Sequence, residues 1–280
     1  MLRRAAREAP VDASAVVEVA RFADDAARVC RDAVAREEPL EIQLGGASLA
    51  VIMRTPGHDE ELATGFLVTE RVVASPAQIA SVRHCSRARD PEAAGNVVRA
   101  VLADGVRVDL EALRRNLYAS SSCGICGKAS IDQALAAAPP LSDSARFAPD
   151  FFYALPAQLA AAQAGFAETG GLHGAALFSG DGALVVARED VGRHNAVDKV
   201  VGFALRAGRL PLRGHVLLVS GRISYEIAQK ALAARIPVVA AVSAPSSLAV
   251  DLATRAGVTL VAFLRGRNFN VYGERARVAG

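Results

Sequence analysis

The chain has 280 residues, of which 52% are hydrophobic, so it can form a substantial core and its composition argues against general disorder. Its net charge of +3 is too small to indicate nucleic-acid binding by itself. No apolar run approaches the roughly 18 residues of a membrane helix, and no apolar segment follows the arginines near the N-terminus. We therefore expect a soluble, cytoplasmic protein whose partners include neither nucleic acid nor a membrane.

The first half of the chain shows both helical and strand patterns. Residues 1–35 carry no motif, and we expect a flexible N-terminal segment there. Helical spacing of apolar residues extends from Asp59 to about Val73, and a second helix is predicted from Lys128 to about Ala138. Paired apolar stretches predict two β-hairpins: Leu40–Leu44 with Ser48–Arg54, and Val97–Leu102 with Val106–Leu110.

The second half follows the polar, proline-flanked segment Leu141–Pro149, which is typical of a domain junction. Helices are predicted over Ala157–Phe166, Asn195–Ala207, Tyr225–Ala234 and Leu248–Ala256. Strands are predicted over Ala175–Phe178, Ala183–Ala187, His215–Ser220, Pro237–Ser243 and Val258–Leu264. The last three are almost continuously apolar and alternate with helices, which indicates a parallel sheet. The predicted fold class is α+β, with an α+β domain over residues 36–145 and an α/β domain with a mixed sheet over 146–280.

The segment Cys123-Gly124-Ile125-Cys126 has the spacing of a metal, redox or sulfur-transfer site. Glycines on both sides allow another molecule to approach closely, and a helix starting near Lys128 would lower the pKa of a nearby thiol. A thiolate is the form that attacks a persulfide. Three alternatives remain open for this pair. They are a structural zinc site, thioredoxin-like redox chemistry, and two small core residues that happen to lie three apart.

The three parallel strands end in loops that carry serine, glycine and arginine. In open α/β sheets, ligands bind at the carboxyl ends of the strands, and arginine forks and helix N-termini both favour phosphate. We therefore expect a nucleotide or another phosphorylated ligand there, although solvated arginines would give the same pattern. The loop residues selected as ligand contacts are Ser220, Gly221, Arg222, Ser243, Arg265, Gly266, Arg267 and Asn268.

A dense polar cluster over Arg188–Lys199 lies between a predicted strand and an amphipathic helix. Arg193 and His194 would stand at the helix start and face a ligand; the alternative is a surface cluster of ion pairs. His173 follows two glycines and precedes a strand, so it is either a further ligand contact or a structural histidine.

Several of these segments together resemble the FdhD family of formate dehydrogenase accessory sulfurtransferases. The similarity extends from roughly Glu41 to Tyr272, and five ordered motifs are far more specific than an isolated Cys-x-x-Cys. The five motifs that carry it are Ser122–Lys128, Thr169–Ala175, Asp190–Lys199, Ser220–Glu226 and Phe263–Asn268, and the segment Arg54–Leu67 also fits.

The resemblance implies that Cys123 bears a persulfide received from a cysteine desulfurase and that Cys126 is its partner. The sulfur would pass to molybdenum bis(molybdopterin guanine dinucleotide), a bound substrate, before that cofactor enters formate dehydrogenase. The segment Phe263-Leu264-Arg265-Gly266-Arg267-Asn268 matches the family's cofactor-binding segment. The resemblance also implies a homodimer.

The family's C-terminal domain is similar to the cytidine deaminase fold, but the residues for deamination are missing. His173 is followed by Gly174 and Ala175 without a glutamate, and Ser122 rather than proline precedes Cys123. We therefore expect a deaminase-like domain and no tightly bound metal. Two alternative functions remain: a chaperone that binds the molybdenum cofactor without transferring sulfur, and a zinc-dependent deaminase-like hydrolase.

Overall fold

The computed structural model describes residues 13–24, 26–73, 75–85, 95–111, 113, 131–132, 134–136 and 138–279. Its strands are β1 (Ser14–Ala23), β2 (Ala26–Ala35), β3 (Glu38–Leu44), β4 (Ala47–Arg54), β5 (Ile79–His84), β6 (Val97–Leu102), β7 (His173–Phe178), β8 (Leu184–Asp190), β9 (Val216–Val219), β10 (Val238–Ala241), β11 (Thr259–Arg265) and β12 (Asn268–Gly273). The α-helices that lie wholly within these residues are α1 (Asp59–Thr69), α2 (Pro149–Tyr153), α3 (Leu155–Ala162), α4 (Ala164–Thr169), α5 (Arg193–Arg206), α6 (Tyr225–Ala233) and α7 (Ser247–Ala256). Within this part of the chain, no helix is both long enough and apolar enough to cross a membrane.

The second half contains the predicted parallel sheet. Strands β9, β10 and β11 pair in parallel, and the six-stranded sheet has the order β12-β11-β10-β9-β7-β8, with β7, β8 and β12 antiparallel to their neighbours. All four residues of both β9 and β10 are buried, as continuous apolar strands in a sheet covered on both faces should be. The α+β class with a mixed sheet is confirmed.

The first half forms a four-stranded sheet of order β4-β3-β6-β5. The predicted hairpin of β3 and β4 is confirmed, with its turn at Gly45 and Gly46. The second predicted hairpin is wrong, because β6 pairs with β3 in parallel and with β5 antiparallel. After β6 the chain turns, with the Val106 N–H donating to the Ala103 carbonyl, and residues 106–109 leave the sheet.

The N-terminal segment differs from the flexible region predicted over residues 1–35. Strands β1 and β2 form an antiparallel hairpin over ten pairs of residues, and residues 1–12 lie outside the described part of the chain. This hairpin was not recognisable from the sequence, because its apolar residues are mostly alanine and valine and charged residues interrupt them on both faces.

One continuous hydrophobic core contains side chains from both halves of the chain. Helix α1 packs directly against α5, and two glycines allow the close approach. A Cβ atom at Gly202 would overlap the carbonyl oxygen of Glu61, and one at Gly65 would overlap that of Asp198. The two helices thus meet backbone to backbone, which holds the first half against the second. The division at residue 145 stays a prediction.

Gly202→Ala should lower the free energy of unfolding by about 1–3 kcal/mol or more, because the added methyl group forces the two helices apart. Urea unfolding would measure this loss. Gly105→Ala is the control: Gly105 has a φ of +80° but open space around it, so only the backbone strain of about 1–2 kcal/mol remains. A loss at Gly202 smaller than at Gly105 would contradict the close helix contact.

Candidate functional site

The predicted site residues of the second half gather at one edge of the six-stranded sheet. Parallel strands β9, β10 and β11 end there, β7 begins there, and β8 ends there. Four of the strands are consecutive neighbours, β7-β9-β10-β11, so three strand spacings of about 4.8 Å give an edge about 14 Å long. His173, Ser220, Ser243 and Arg265 lie along it in that order, as the strand-end argument predicts.

His173, Gly221 and Arg193 are immediate neighbours at this edge. A Cβ atom added at Gly221 would lie 3.5 Å from His173 Nδ1 and 3.9 Å from Arg193 Cδ. Two hydrogen bonds fix the adjacent backbone: Gly174 N–H donates to Ser220 Oγ over 2.9 Å, and Ser220 N–H donates to the Gly174 carbonyl over 2.9 Å. The glycine leaves space beside the two side chains that a ligand could fill.

Arg193 carries an unused hydrogen-bond donor. Its Nε atom is buried and has no hydrogen-bond partner among the described residues. A buried donor without a partner costs about 1–3 kcal/mol, and such groups are rare in folded proteins unless a water or ligand completes them. The guanidinium is therefore available for an acceptor such as a phosphate oxygen.

His194 lies between α5 and α6, in contact with two residues that were not selected from the sequence. Its Nε2 is 3.3 Å from Ser224 Oγ and 3.8 Å from a Glu226 carboxylate oxygen. Burial and the nearby Arg193 and Lys230 lower the pKa of His194 to about 4, and the two acids Glu226 and Glu70 offset this only in part. At neutral pH the imidazole is uncharged.

The pKa of His173 is also lowered, by burial and by the positive charge of Arg193, while Asp190 acts in the opposite direction. The two histidines therefore offer neutral donors and acceptors rather than positive charge. Arg193 is the cation that lowers the pKa of both histidines and so supplies positive charge beside them, whereas Arg222 is exposed in the loop after β9.

The loops after β9 and β10 are held side by side. Ile223 N–H donates to the Ala244 carbonyl over 3.1 Å, and Ser246 N–H donates to the Ile223 carbonyl over 2.9 Å. Ser246 also caps α7, because its Oγ accepts the Ala249 N–H over 3.3 Å. The Ser243 carbonyl accepts the Phe263 N–H over 3.1 Å and so connects this loop to β11.

The segment Phe263–Asn268 turns from β11 into β12 through an irregularity in the strand pairing. Phe263 has a φ of +57° and is 41% exposed, an unfavourable combination for a bulky residue that is typical of functional sites. Leu264, by contrast, is buried in the second core cluster, so its side chain supports the strand rather than facing a ligand. Arg265, Gly266, Arg267 and Asn268 are exposed.

An open groove lies beside this turn. Arg267 stacks on the Tyr153 ring at 4.6 Å and forms an exposed ion pair with Asp150 at 3.1 Å. The residues that line the groove are Pro149, Tyr153, Phe263, Arg267, Asn268, Phe269 and Asn270. Aromatic faces next to amide and guanidinium groups suit a flat polar ring such as a nucleobase.

The rest of the polar cluster is structural. Asp190 and Lys199 form a fully buried ion pair at 2.7 Å. Asp190 also accepts the Gly192 N–H and the Asn195 side-chain N–H, and Lys199 donates to the Thr55 carbonyl over 2.9 Å. These contacts tie the start of α5 to the segment after β4, so the alternative interpretation, a surface cluster of ion pairs, is wrong for Asp190 and Lys199.

A second buried network joins α1, α5 and α6. Lys230 Nζ lies 2.9 Å from Asp198 Oδ2 and 2.9 Å from Thr69 Oγ1, and it also contacts the Glu70 carboxylate. Burial opposes its charge, but the pKa of Lys230 is raised above its ordinary value by Asp198 and Glu70. Asp198 is therefore a structural counter-ion with its side chain inside the protein.

The predicted catalytic residues Cys123 and Cys126 lie outside the described part of the chain. The nearest described residues after them include Ile131, Ala134 and Ala138, which are buried in the main core, and Asp132, which pairs with Arg255 at 2.6 Å. The described positions among 131–136 are helical, as predicted for that stretch.

His194 should make stability depend on pH. Its folded pKa of about 4 is below the ordinary 6.5, so between these values the unfolded chain binds a proton that the folded chain does not. The free energy of unfolding should therefore fall as pH drops from about 6.5 towards 4. His194→Gln, measured by urea unfolding at pH 7 and pH 5, should lose less stability than wild type between them. If wild type and His194→Gln lose the same stability between pH 7 and pH 5, His194 is not held neutral in the folded chain.

Comparison with known proteins agrees with the family suggested by the motifs. The family model described as "FdhD/NarQ family" matches residues 35–279. A sulfur carrier protein FdhD from Streptomyces coelicolor is 53% identical over 266 residues, covering 94% of each chain, and the one from Anaeromyxobacter dehalogenans (strain 2CP-1) is 49% identical over 285 residues, covering 98% of each.

A crystal structure from Desulfotalea psychrophila, described as a formate dehydrogenase accessory protein, shares the fold. Its TM-score is 0.74 at 24% identity, and the alignment covers 95% of this chain and 99% of that one. At this identity the solved structure supports the fold alone. The family model and the relatives that are about 50% identical establish the family. The chain belongs to the FdhD/NarQ family.

Proposed function

We propose that this protein is a sulfur carrier that delivers persulfide sulfur to molybdenum bis(molybdopterin guanine dinucleotide) before that cofactor enters formate dehydrogenase. The proposal is supported by relatives named sulfur carrier protein FdhD at 49–54% identity and by the fold shared with a formate dehydrogenase accessory protein. The donor would be a cysteine desulfurase, and the protein would work in the cytoplasm as a homodimer.

The observation that carries the proposal is the strand edge from Arg193 to the Phe263–Asn268 turn. It offers the buried, unpartnered Nε of Arg193 at one end and a groove with Tyr153 and Phe263 at the other. A dinucleotide carries anionic phosphates and a flat base, and these two features match the two ends of the edge. We assign the phosphates to the Arg193 end and the guanine base to the groove.

The sulfur step needs only thiol chemistry. The Cys123 thiolate attacks the terminal sulfur of the donor persulfide. A bond forms between Cys123 Sγ and that sulfur, the donor S–S bond breaks, and the donor leaves as a thiolate. Attack of Cys126 on the Cys123 sulfur then releases the terminal sulfur as sulfide and forms a Cys123–Cys126 disulfide. The sulfane sulfur gains the two electrons that the thiols lose, and a dithiol reductant restores the pair.

Incubation with a cysteine desulfurase and cysteine should add one sulfur, about 32 Da, to the wild-type chain. Cys123→Ala should abolish this gain, and Cys126→Ala should retain it and accumulate the persulfide, because the attacking thiol is missing. Intact-protein mass spectrometry measures all three. Cys30→Ala is the matched control, since Cys30 lies on the N-terminal hairpin, remote from the motif in sequence. No gain in the wild type with a competent donor would favour a cofactor chaperone without sulfur transfer.

Guanosine diphosphate, a fragment of the substrate, should bind the strand edge. Arg193→Met should raise its dissociation constant about tenfold or more, because a charged hydrogen bond to phosphate is lost. Isothermal titration calorimetry provides the measurement, and Arg255→Met, at the far end of α7, is the control that should leave the affinity unchanged. Equal affinities of wild type and Arg193→Met would remove Arg193 from the binding site.

The two experiments separate the proposal from its alternatives. A cofactor chaperone would bind guanosine diphosphate through Arg193 but gain no sulfur. A zinc-dependent hydrolase would instead contain stoichiometric zinc that is lost in Cys123→Ser, which elemental analysis of the purified protein would detect.

A further inference from the structure

Two arginines occupy helix-end positions that usually belong to glycine. Arg71 and Arg235 are each the second residue after a helix, α1 and α6 respectively, and their φ angles are +59° and +63°. Helices commonly end in this left-handed conformation at a glycine, as α4 and α7 do at Gly170 and Gly257, both with a φ of +66°. A side chain makes this conformation cost free energy, and such strained residues cluster at functional sites.

The ends of α1 and α6 lie side by side. Lys230, in the last turn of α6, donates to Thr69 Oγ1 at the end of α1 over 2.9 Å. Arg71 and Arg235 follow these two ends, and burial together with the charge of Arg235 lowers the pKa of Arg71. The two guanidinium groups are therefore close enough to repel each other.

A third arginine adjoins this pair from the segment before β9. Leu212 N–H donates to the Ala234 carbonyl over 3.0 Å, and burial together with the charge of Arg213 lowers the pKa of Arg235. We define Arg71, Arg213 and Arg235 as the arginine corner. It lies at the amino ends of β9 and β10, so these four-residue strands, about 13 Å long, separate it from the binding edge at their carboxyl ends.

The two carboxylates that adjoin the arginine corner are engaged elsewhere. Glu70, which precedes Arg71 in the chain, contacts Lys230. Asp143 reaches the segment beside Arg213, but it accepts the backbone N–H groups of Ala145 and Gly214, over 2.8 and 3.1 Å. Within the described residues, neither carboxylate forms an ion pair with the arginine corner.

The guanidinium groups of the corner retain unused donor capacity. Arg235 donates to the carbonyls of Pro139 and Pro140, which carry no net charge. Arg71 Nη2 is buried and has no hydrogen-bond partner among the described residues, although the side chain as a whole is half-buried and can be approached from the surface. A buried donor of this kind usually indicates that a water or an ion completes it.

We propose that the arginine corner is a binding site for an oxyanion of the phosphate type, separate from the strand edge. Planar guanidinium forks match the oxygens of a phosphate, and a bound anion would offset the repulsion between the arginines. It would also supply the acceptor that Arg71 Nη2 lacks. The proposal depends neither on sulfur transfer nor on the assignment of Arg193 to a cofactor phosphate.

The test is isothermal titration calorimetry with inorganic phosphate at constant ionic strength. The full chain carries Arg193→Met throughout, so that the strand edge does not contribute the same signal. Adding Arg71→Gly should raise the dissociation constant for phosphate about tenfold or more, because a charged hydrogen bond is lost. This variant should fold, since glycine is favoured at a positive φ. Arg28→Met, at an exposed position on the N-terminal hairpin, is the control and should leave the dissociation constant unchanged.

Arg213→Met provides a second variant whose effect cannot come from the helix ends, because Arg213 is exposed and outside both helices. It should raise the dissociation constant about two- to fivefold, as expected for an exposed charge. Titration with phenyl phosphate identifies the source of the anion: tighter binding than inorganic phosphate indicates the phosphate group of a larger molecule, and weaker binding indicates the free ion. Absence of phosphate binding in the Arg193→Met chain, or a dissociation constant that Arg71→Gly leaves unchanged, would overturn the proposal.

Discussion

The buried ion pair of Asp190 and Lys199 is the interaction on which the position of the site depends. Two charges removed from water stabilise a fold only when their remaining hydrogen-bonding positions are filled. Here Asp190 accepts bonds from the Gly192 and Asn195 N–H groups, and Lys199 donates to backbone carbonyls of Thr55 and Glu189. The pair closes the turn between β8 and α5, and this turn places Arg193 at the sheet edge.

The same helix also joins the two halves of the chain. Gly202 allows α5 to touch α1, and Asp198 contributes to the network with Lys230 and Thr69 on the neighbouring turn. Since α5 carries Arg193 and His194 at its start, a shift of α1 would be transmitted to the binding edge. The cysteine motif belongs to the first half of the sequence and the binding edge to the second, and this helix contact holds the described parts of the two halves together.

The sequence predicted those elements whose local pattern matches their environment. The apolar runs of β9, β10 and β11 and the amphipathic stripe of α5 were recognisable, because a doubly covered strand and a half-buried helix each impose a simple period. Strand β5 was missed because its six residues, Ile79–His84, include only two large apolar side chains and most of them are exposed or half-buried. In the site, too, the local pattern sufficed to predict that residues such as Ser220 and Ser243 lie at strand ends. The structural roles of Asp190 and Lys199 could not be predicted, because they depend on contacts with Thr55, more than 130 residues away. Ser224 and Glu226 lay within a recognised motif, yet only the fold brings them to His194.

Arg193 differs from four other cations that are buried or half-buried in the described chain. Arg54 pairs with Asp59, Arg188 with Glu61, Lys199 with Asp190, and Lys230 with Asp198. Within the described chain Arg193 has no such carboxylate within ion-pair distance, and its two histidine neighbours have lowered pKa values and add no charge. The charges of Arg54, Lys199 and Lys230 are thus compensated inside the described chain, whereas the buried Nε of the half-buried Arg193 is left to donate to an external anion. The neutral imidazoles can still donate hydrogen bonds to such an anion, while Arg193 supplies the positive charge.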